Sequence, residues 1–175
     1  QWDLVIRQAR AAGLLAHLAT RLHGQTLPEA VQAHLHAATR LAEGQKRTLQ
    51  WELHCLREAL SRVDTPIILL KGAAYILAGL PAGEGRLVND LDILVRRDAL
   101  PAVEAALSLY GWVSVCHDAY DQRYYRQWMH ELPPMRHIQR MTALDVHHNI
   151  LPDSARLHPD RHQLLAAAVD IPAEP

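Results

Sequence analysis

The sequence predicts an α/β (α+β) fold with a helical N-terminal region. Three observations predict it: helical apolar periodicity as far as Val63, short β-rich runs after Pro66, and 49% hydrophobic residues in a chain of 175. A chain of this length and apolarity buries one substantial core without disulfides. We expect a helical region at 1–63, an α/β core at 64–150 and a C-terminal helix within 151–175.

The N-terminal region predicts two helices. Apolar residues recur at helical spacing from Trp2 to Leu22, and His23-Gly24 is a suitable stop. Pro28 suits the first turn of a second, long helix whose apolar stripe continues towards Val63, and Gly44 is the residue within it that favours an interruption.

The core alternates short strands and helices. Asp64-Thr65-Pro66 breaks the helical period before the first strand, and Asp98 is placed to cap a helix that ends near Gly111. We expect strands at 67–70, 89–95, 112–116, 135–139 and 143–148, with helices at 71–80, 98–110, 118–131 and 154–169. The strands at 135–139 and 143–148 are expected to form a hairpin.

Composition and charge exclude several classes of protein. The 18 Lys+Arg and 19 Asp+Glu residues leave a net charge of -1, which argues against a protein that binds long nucleic acid. Cys55 and Cys116 form no disulfide or zinc pattern, so a reducing cytoplasm is expected. No apolar run reaches the roughly 18 residues of a membrane span. The start at Gln1 and the end at Pro175 suggest a fragment of a longer protein.

The run from Asn89 to Val95 contains the clearest chemical signal. Side chains alternate along a strand, so Asp90 and Asp92 share one face and Leu91 lies on the other. Neighbouring carboxylates repel unless a cation lies between them, and Mg²⁺ prefers such hard oxygen ligands together with substrate phosphates. The pattern therefore predicts a magnesium site.

Two further segments extend this site. Asp145 is a candidate third carboxylate that ligates a metal or accepts a proton. By strand parity His147 shares its face and is a candidate for binding the metal or positioning the acceptor substrate, although a structural, hydrogen-bonded role is favoured over a metal ligand. Gly72 at a strand-to-helix junction lets backbone N–H groups approach a triphosphate, with Lys71 adding a cation. The segment is not a P-loop.

The combination of segments resembles a known family. The matching pieces are LLKGAA at 69–74, GRLVNDLDILV at 85–95 and LDVHH at 144–148. In this order they are similar to the nucleotidyltransferase superfamily that includes DNA polymerase beta, and within it to the uncharacterised bacterial branch. The resemblance covers roughly residues 63–150.

The resemblance implies a mixed β-sheet flanked by helices and the transfer of a nucleoside monophosphate from an NTP to an acceptor with Mg²⁺. It matches Asp90 and Asp92 to the metal pair, Asp145 to the third carboxylate, and Gly72 to the phosphate loop. Many active members have Gly-Ser or Gly-Gly at that loop, whereas this chain has Gly72-Ala73 and lacks the hydroxyl. The segment between that loop and the acidic pair is longer than in the compact members of the family, and Arg86, which lies in this segment, is a candidate for contact with phosphate.

Other signals are weaker. Aromatic residues interleaved with arginines at 120–128 suit base stacking, but core packing with a solvated basic face is favoured. The scattered histidines lack zinc-site spacing. His130-Glu131-Leu132-Pro133-Pro134 is a distinctive string to which the sequence assigns no chemical role.

Three functions remain open at this stage. The first is a magnesium-dependent nucleotidyltransferase acting on an NTP and an unknown acceptor. The second is a related module without catalysis that senses nucleotides or binds proteins, which Ala73 and the large helical region favour. The third is a metal-dependent phosphohydrolase that uses the same carboxylates with water as the nucleophile.

Overall fold

A computed structural model describes residues 1–171 in two compact units. The first unit consists of Gln1–Trp51 and Gly72–Val88, and the second of Glu52–Lys71 and the chain from Asn89 onward. The predicted domain boundaries at 63 and 150 stay predictions, and the last four residues of the predicted C-terminal region lie outside the described residues. The α/β fold class with a helical N-terminal region is confirmed.

The N-terminal stretch forms two helices, so the single helix predicted from Trp2 to Leu22 is wrong. Helix α1 is Trp2–Ala11 and helix α2 is Leu15–Arg21. Between them Gly13 has φ of 68°, a left-handed conformation that interrupts the helix and is cheap only for glycine. The apolar stripes of both helices nevertheless reach one core in the first unit, which contains Ile6, Leu15, Val31 and Leu35.

The long helix is confirmed and is continuous. Helix α3 is Glu29–Leu60. Pro28 lies one residue before it rather than in its first turn, and the carbonyl of Pro28 accepts hydrogen bonds from the backbone N–H groups of Val31 and Gln32. Gly44 does not interrupt it. A glycine in a helix interior costs about 1 kcal/mol relative to alanine, and the packed apolar stripe outweighs that cost.

The second unit contains a five-stranded mixed sheet. Its strands are β1 (Ile68–Leu69), β2 (Asp90–Leu94), β3 (Trp112–Ser114), β4 (Met135–His137) and β5 (Ala143–His147). The order is β1-β2-β5-β4-β3, with β2 and β5 parallel and the other neighbours antiparallel. The predicted hairpin is confirmed as β4–β5, and the parallel pair places the two acidic strands side by side.

The remaining helices follow the predicted order with shifted ends. They are α4 (Lys71–Leu77), α5 (Leu100–Leu109), α6 (Ala119–Trp128) and α7 (Arg161–Ala166). Asp118 caps α6 by accepting from the backbone N–H of Tyr120. Asp98 does not cap α5: its carboxylate accepts from Arg96 Nε at 3.2 Å, and a short 3₁₀ turn precedes the helix.

Helix α7 begins later than the predicted residue 154. Pro159 disfavours a helical residue before it, and Asp160 then caps the first turn by accepting from the backbone of His162 and Gln163. Among the helices of residues 1–171, none has the length and apolarity that crossing a bilayer requires.

Candidate active site in the second unit

The parallel pairing of β2 and β5 brings together the two acidic strands. Asp92 is the register partner of Asp145, Asp90 is the partner of Ala143, and Leu94 is the partner of His147. Directly paired residues of adjacent strands point to the same face, so Asp92 and Asp145 are neighbours. The strand itself is buried on both sides, because Leu91, Asp92 and Ile93 are all at most 2% exposed.

Asp92 is a buried carboxylate that accepts two hydrogen bonds. Its Oδ1 accepts from Lys71 Nζ at 2.5 Å and lies 2.9 Å from Nε2 of His147. Burial alone would raise the pKa of Asp92, but the hydrogen bonds from His147 and Lys71 outweigh it and hold the pKa below its ordinary value. Asp92 is therefore ionised at neutral pH.

Lys71 reaches Asp92 from an unusual backbone conformation. Its φ is 49°, in the left-handed region that a non-glycine residue occupies only at a cost of about 1 to 3 kcal/mol. Its side chain is 57% exposed. Burial opposes the charged ammonium, but the hydrogen bond and charge of Asp92 raise the pKa of Lys71, so the cation is retained.

The pKa of Asp145 is shifted well above the ordinary value of an aspartate. Burial, followed by the charges of Glu131 and Asp92, raises its pKa to about 6. The charge of Asp90 acts in the same direction. Burial and the neighbouring carboxylates therefore disfavour the ionised form of Asp145, and a bound cation would favour it.

Glu131 and His130 join this cluster, and sequence reasoning missed them. Glu131 forms an isolated antiparallel bridge with His147, and its Oε2 lies 3.0 Å from Nδ1 of His147. The ring of His130 stacks on that of His147 with centroids 5.3 Å apart. The string 130–134 was conspicuous in the sequence, but no spacing rule connects it with β5, since the bridge joins residues 16 apart.

Two overlapping sets of side chains have the composition and spacing of metal sites. One consists of Asp92, Asp145 and His147, and the other of His130, Glu131 and His147. In each set the ligand atoms lie within 4.8 Å of one another. The first set, rich in buried carboxylate oxygen, fits a hard divalent cation such as Mg²⁺. Asp90 is exposed at the start of β2 and belongs to neither set.

The remaining residues predicted to bind substrate lie in the first unit. Gly72 and Ala73 are buried at the start of α4. The guanidinium of Arg86 lies 5.7 Å from the ring centroid of Tyr75. A Cβ added to Gly72 would lie 2.3 Å from Val88 Cγ1, so the absence of a side chain is required by packing there. The contact of Gly72, Ala73 and Arg86 with an NTP stays a prediction.

The aromatic segment at 120–128 is not packed into a core, so the favoured interpretation was wrong. Helix α6 has no buried residue, and Tyr120, Tyr124 and Trp128 are 74%, 42% and 58% exposed. Tyr120 and Tyr124 stack on each other instead. Arg126 is bound by Glu104, and this pairing raises the pKa of Arg126.

Comparison with known proteins identifies a family. The model of the family described as uncharacterised nucleotidyltransferase matches residues 1–174. Neither a curated protein nor a solved structure matches the chain. The family match covers the acidic strands β2 and β5 as well as the helical N-terminal region. The chain therefore belongs to the uncharacterised nucleotidyltransferase family.

Proposed function

We propose that the protein is a magnesium-dependent nucleotidyltransferase that moves a nucleoside monophosphate from an NTP to an acceptor. The observation that carries this proposal is the register pairing of Asp92 with Asp145 on adjacent parallel strands. Together with the family match, this pairing supports phosphoryl chemistry rather than a structural acidic patch. We propose the cytoplasm as the compartment, as the cysteine pattern predicts.

We assign Asp90, Asp92 and Asp145 to the cation. Both donors to Asp92 use Oδ1, so Oδ2 is the atom that we expect to face the ion. The ion, when bound, would neutralise the phosphate oxygens and orient the α-phosphorus. His147 has a positioning role, because its Nε2 contact and the backbone pairing of β5 hold the Asp92 carboxylate in one orientation.

We assign Lys71 to the triphosphate. Its exposed ammonium lies beside the acidic cluster and keeps its charge, so it is able to bind a phosphate oxygen while still screening Asp92. Gly72, Ala73 and Arg86 keep the role in NTP binding that the sequence predicts for them.

The transfer step then balances as an in-line displacement. An acceptor hydroxyl oxygen forms a bond to the α-phosphorus, the bond from that phosphorus to the bridging oxygen breaks, and pyrophosphate leaves. We assign the hydroxyl proton to Asp145, which lies beside Asp92 in the register and thus beside the place proposed for the cation.

The test uses α-labelled ATP, GTP, CTP and UTP with Mg²⁺ and three acceptor pools: the protein itself, transfer RNA and an extract of small metabolites. A labelled adduct together with pyrophosphate establishes transfer, whereas free labelled NMP indicates hydrolysis. Asp92→Asn should abolish the adduct. Asp98→Asn, an exposed aspartate paired with Arg96, is the matched control and should retain it.

The second candidate is a module that binds nucleotides without turnover. The ion pair between Lys71 and Asp92 favours it, because the ammonium competes with a cation for the same carboxylate. Calorimetric titration of the four NTPs with Mg²⁺ separates the two. Magnesium-dependent binding without product from any acceptor pool would favour the module, and unchanged product formation in Asp92→Asn would refute the transferase mechanism.

A further inference from the structure

We propose that His130, Glu131 and His147 form a second metal site, one that takes a first-row divalent transition ion such as Zn²⁺ rather than Mg²⁺. One ligand atom from each residue lies within 4.8 Å of the others. Two imidazoles and one carboxylate are typical ligands for zinc, whereas magnesium takes oxygen ligands. The inference does not depend on the proposed transferase activity.

The orientation of His147 is the first observation that carries this proposal. Nε2 of His147 lies 2.9 Å from Oδ1 of Asp92, and this contact aims the other ring nitrogen, Nδ1, at Glu131. With the ring proton on Nε2, Nδ1 is the nitrogen that is able to ligate a cation. A carboxylate that holds the far nitrogen of a metal-binding histidine is a recurrent arrangement, because it fixes the tautomer and the ring orientation.

The surroundings of His147 Nδ1 are the second observation. The side chain of His147 is 1% exposed, and its Nδ1 has no hydrogen-bond partner among residues 1–171. Glu131 Oε2 lies only 3.0 Å away but outside the direction in which the nitrogen could donate. A ring nitrogen and a carboxylate oxygen that lie 3.0 Å apart with no hydrogen bond between them are placed as two ligands of one cation.

His130 supplies the third ligand from the same segment. Its Nδ1 is also buried and without a hydrogen-bond partner in the described chain. The backbone holds the segment rigidly against β5: Leu132 N–H donates to Val146 at 2.8 Å, and His148 N–H donates to His130 at 2.8 Å. These hydrogen bonds fix the backbone that carries His130 and Glu131 beside β5.

The ligand count defines the kind of site. Tetrahedral zinc with bonds of about 2.0 to 2.2 Å places its ligands roughly 3.3 Å apart, which is comparable to the 3.0 Å separation observed between Nδ1 of His147 and Oε2 of Glu131. Three protein ligands leave a fourth position for water or for a substrate oxygen, as in catalytic rather than structural zinc sites.

The experiment measures Co²⁺ and Zn²⁺ binding to the whole chain. Visible absorption of Co²⁺ reports tetrahedral coordination, and displacement by Zn²⁺ gives the affinity. We expect one tight equivalent in the wild type, with Glu131→Gln and His130→Gln each weakening it by at least about tenfold. Because the chain contains 12 histidines, His158→Gln with His162→Gln, both outside the cluster, is the control for incidental binding and should change nothing.

Asp145→Asn distinguishes this site from the acidic one. It leaves all three proposed ligands in place, so tight Co²⁺ binding should persist while Mg²⁺-dependent NTP binding is lost. The proposal is overturned if the wild type binds no Co²⁺ tightly, or if Asp145→Asn abolishes Co²⁺ binding and folded Glu131→Gln and His130→Gln retain it. Circular dichroism of each variant verifies the fold. Neither outcome bears on nucleotide transfer, which the labelled-NTP assay decides separately.

Discussion

At the scale of single residues, the two central carboxylates of the acidic cluster have pKa values that are shifted in opposite directions. Asp92 receives a lysine and a histidine, and its pKa is lowered. Asp145 receives neither, and its pKa is raised to about 6 mainly by burial. Neighbouring groups whose environments move their pKa values apart are typical of functional sites. The pair thus combines a permanent anion with a carboxyl that can exchange a proton near neutrality.

Asp145 should reduce the stability of the metal-free protein as pH rises. Its folded-state pKa is raised, so its contribution is fully present below the ordinary value of 3.8 and is lost as pH rises through about 6. Asp145→Asn has no such titration. The variant should therefore gain stability relative to wild type between about pH 4 and pH 7, by about 1 to 2 kcal/mol after allowance for solvent screening.

The free energies of unfolding of wild type and Asp145→Asn are measured by urea denaturation at about pH 4 and about pH 7, with a chelator present. Asp98→Asn, which removes an exposed carboxylate, is the control and should show no comparable change. A difference between Asp145→Asn and wild type that is constant with pH would contradict the raised pKa.

At the scale of elements, two glycines in helices have opposite roles. Gly72 lies in α4, where an added Cβ would be 2.3 Å from Val88 Cγ1 and 3.2 Å from Arg86 Nε. Gly44 lies within α3, where the nearest atom would be Arg47 Nη2 at 3.9 Å. Close approach explains the glycine only in the first case, so the two positions should respond differently to the same substitution.

Gly72→Ala should destabilise the protein by about 1 to 3 kcal/mol, because the short valine side chain cannot move far. Gly44→Ala, the matched substitution, should stabilise it by up to about 1 kcal/mol through helix propensity. Urea denaturation of both variants is the measurement. The double variant Gly72→Ala, Val88→Ala should recover part of the loss; equal effects of the two single alanine substitutions would contradict the packing argument.

A buried glutamate connects α3 with the β4–β5 hairpin inside the second unit. Glu52 is 3% exposed, and its carboxylate accepts from Arg140 Nε at 2.9 Å and from Thr142 Oγ1 at 2.7 Å. These contacts stabilise the turn that contains Met141, whose φ is 60°. The turn determines where β5, and with it Asp145, is placed.

Glu52→Gln should therefore destabilise the protein by about 2 to 4 kcal/mol, since Arg140 is left without its charged partner. Thermal unfolding is the measurement. Glu58→Gln, on the exposed side of the same helix, is the matched control and should change the stability by less than about 0.5 kcal/mol. Comparable losses in the two variants would argue against a specific role of the buried pair.

At the scale of the whole molecule, the family match extends over residues 1–174 and thus beyond the acidic strands. The helical N-terminal region is part of the family's common sequence and not an addition to this chain. It also contains the larger part of the first unit, whose core is built by α1, α2 and α3. If the folded chain binds a nucleotide and the unfolded chain does not, the nucleotide should increase the free energy of unfolding.

Saturating Mg²⁺ with the preferred NTP should raise the midpoint of thermal unfolding. A ligand at about 100 times its dissociation constant adds about 2.7 kcal/mol, which corresponds to roughly 5 to 10 °C for a chain of this size. Differential scanning fluorimetry measures the shift, and Asp92→Asn should lose it. A shift produced equally by the NTP without Mg²⁺, or retained in Asp92→Asn, would contradict the carboxylate site.

The sequence by itself determined the fold class, the order of the strands and helices from residue 67 onward, the face that Asp90 shares with Asp92, and the face that Asp145 shares with His147. Alternation along strands and helical periodicity are local rules, and these features depend on nothing else. These local rules did not predict the helix break at Gly13 or the continuity of α3 through Gly44. Helix propensity contributes less free energy than the packing of an apolar helix face, and packing is not local.

The tertiary structure decided which side chains meet. The contact of Lys71 with Asp92 joins residues 21 apart, and Glu131 joins the site only through its bridge to His147. Strand pairing across the sheet creates both contacts, and no local pattern encodes the partner of a strand. The raised pKa of Asp145 has the same origin, since burial and neighbouring charge exist only after the chain has folded.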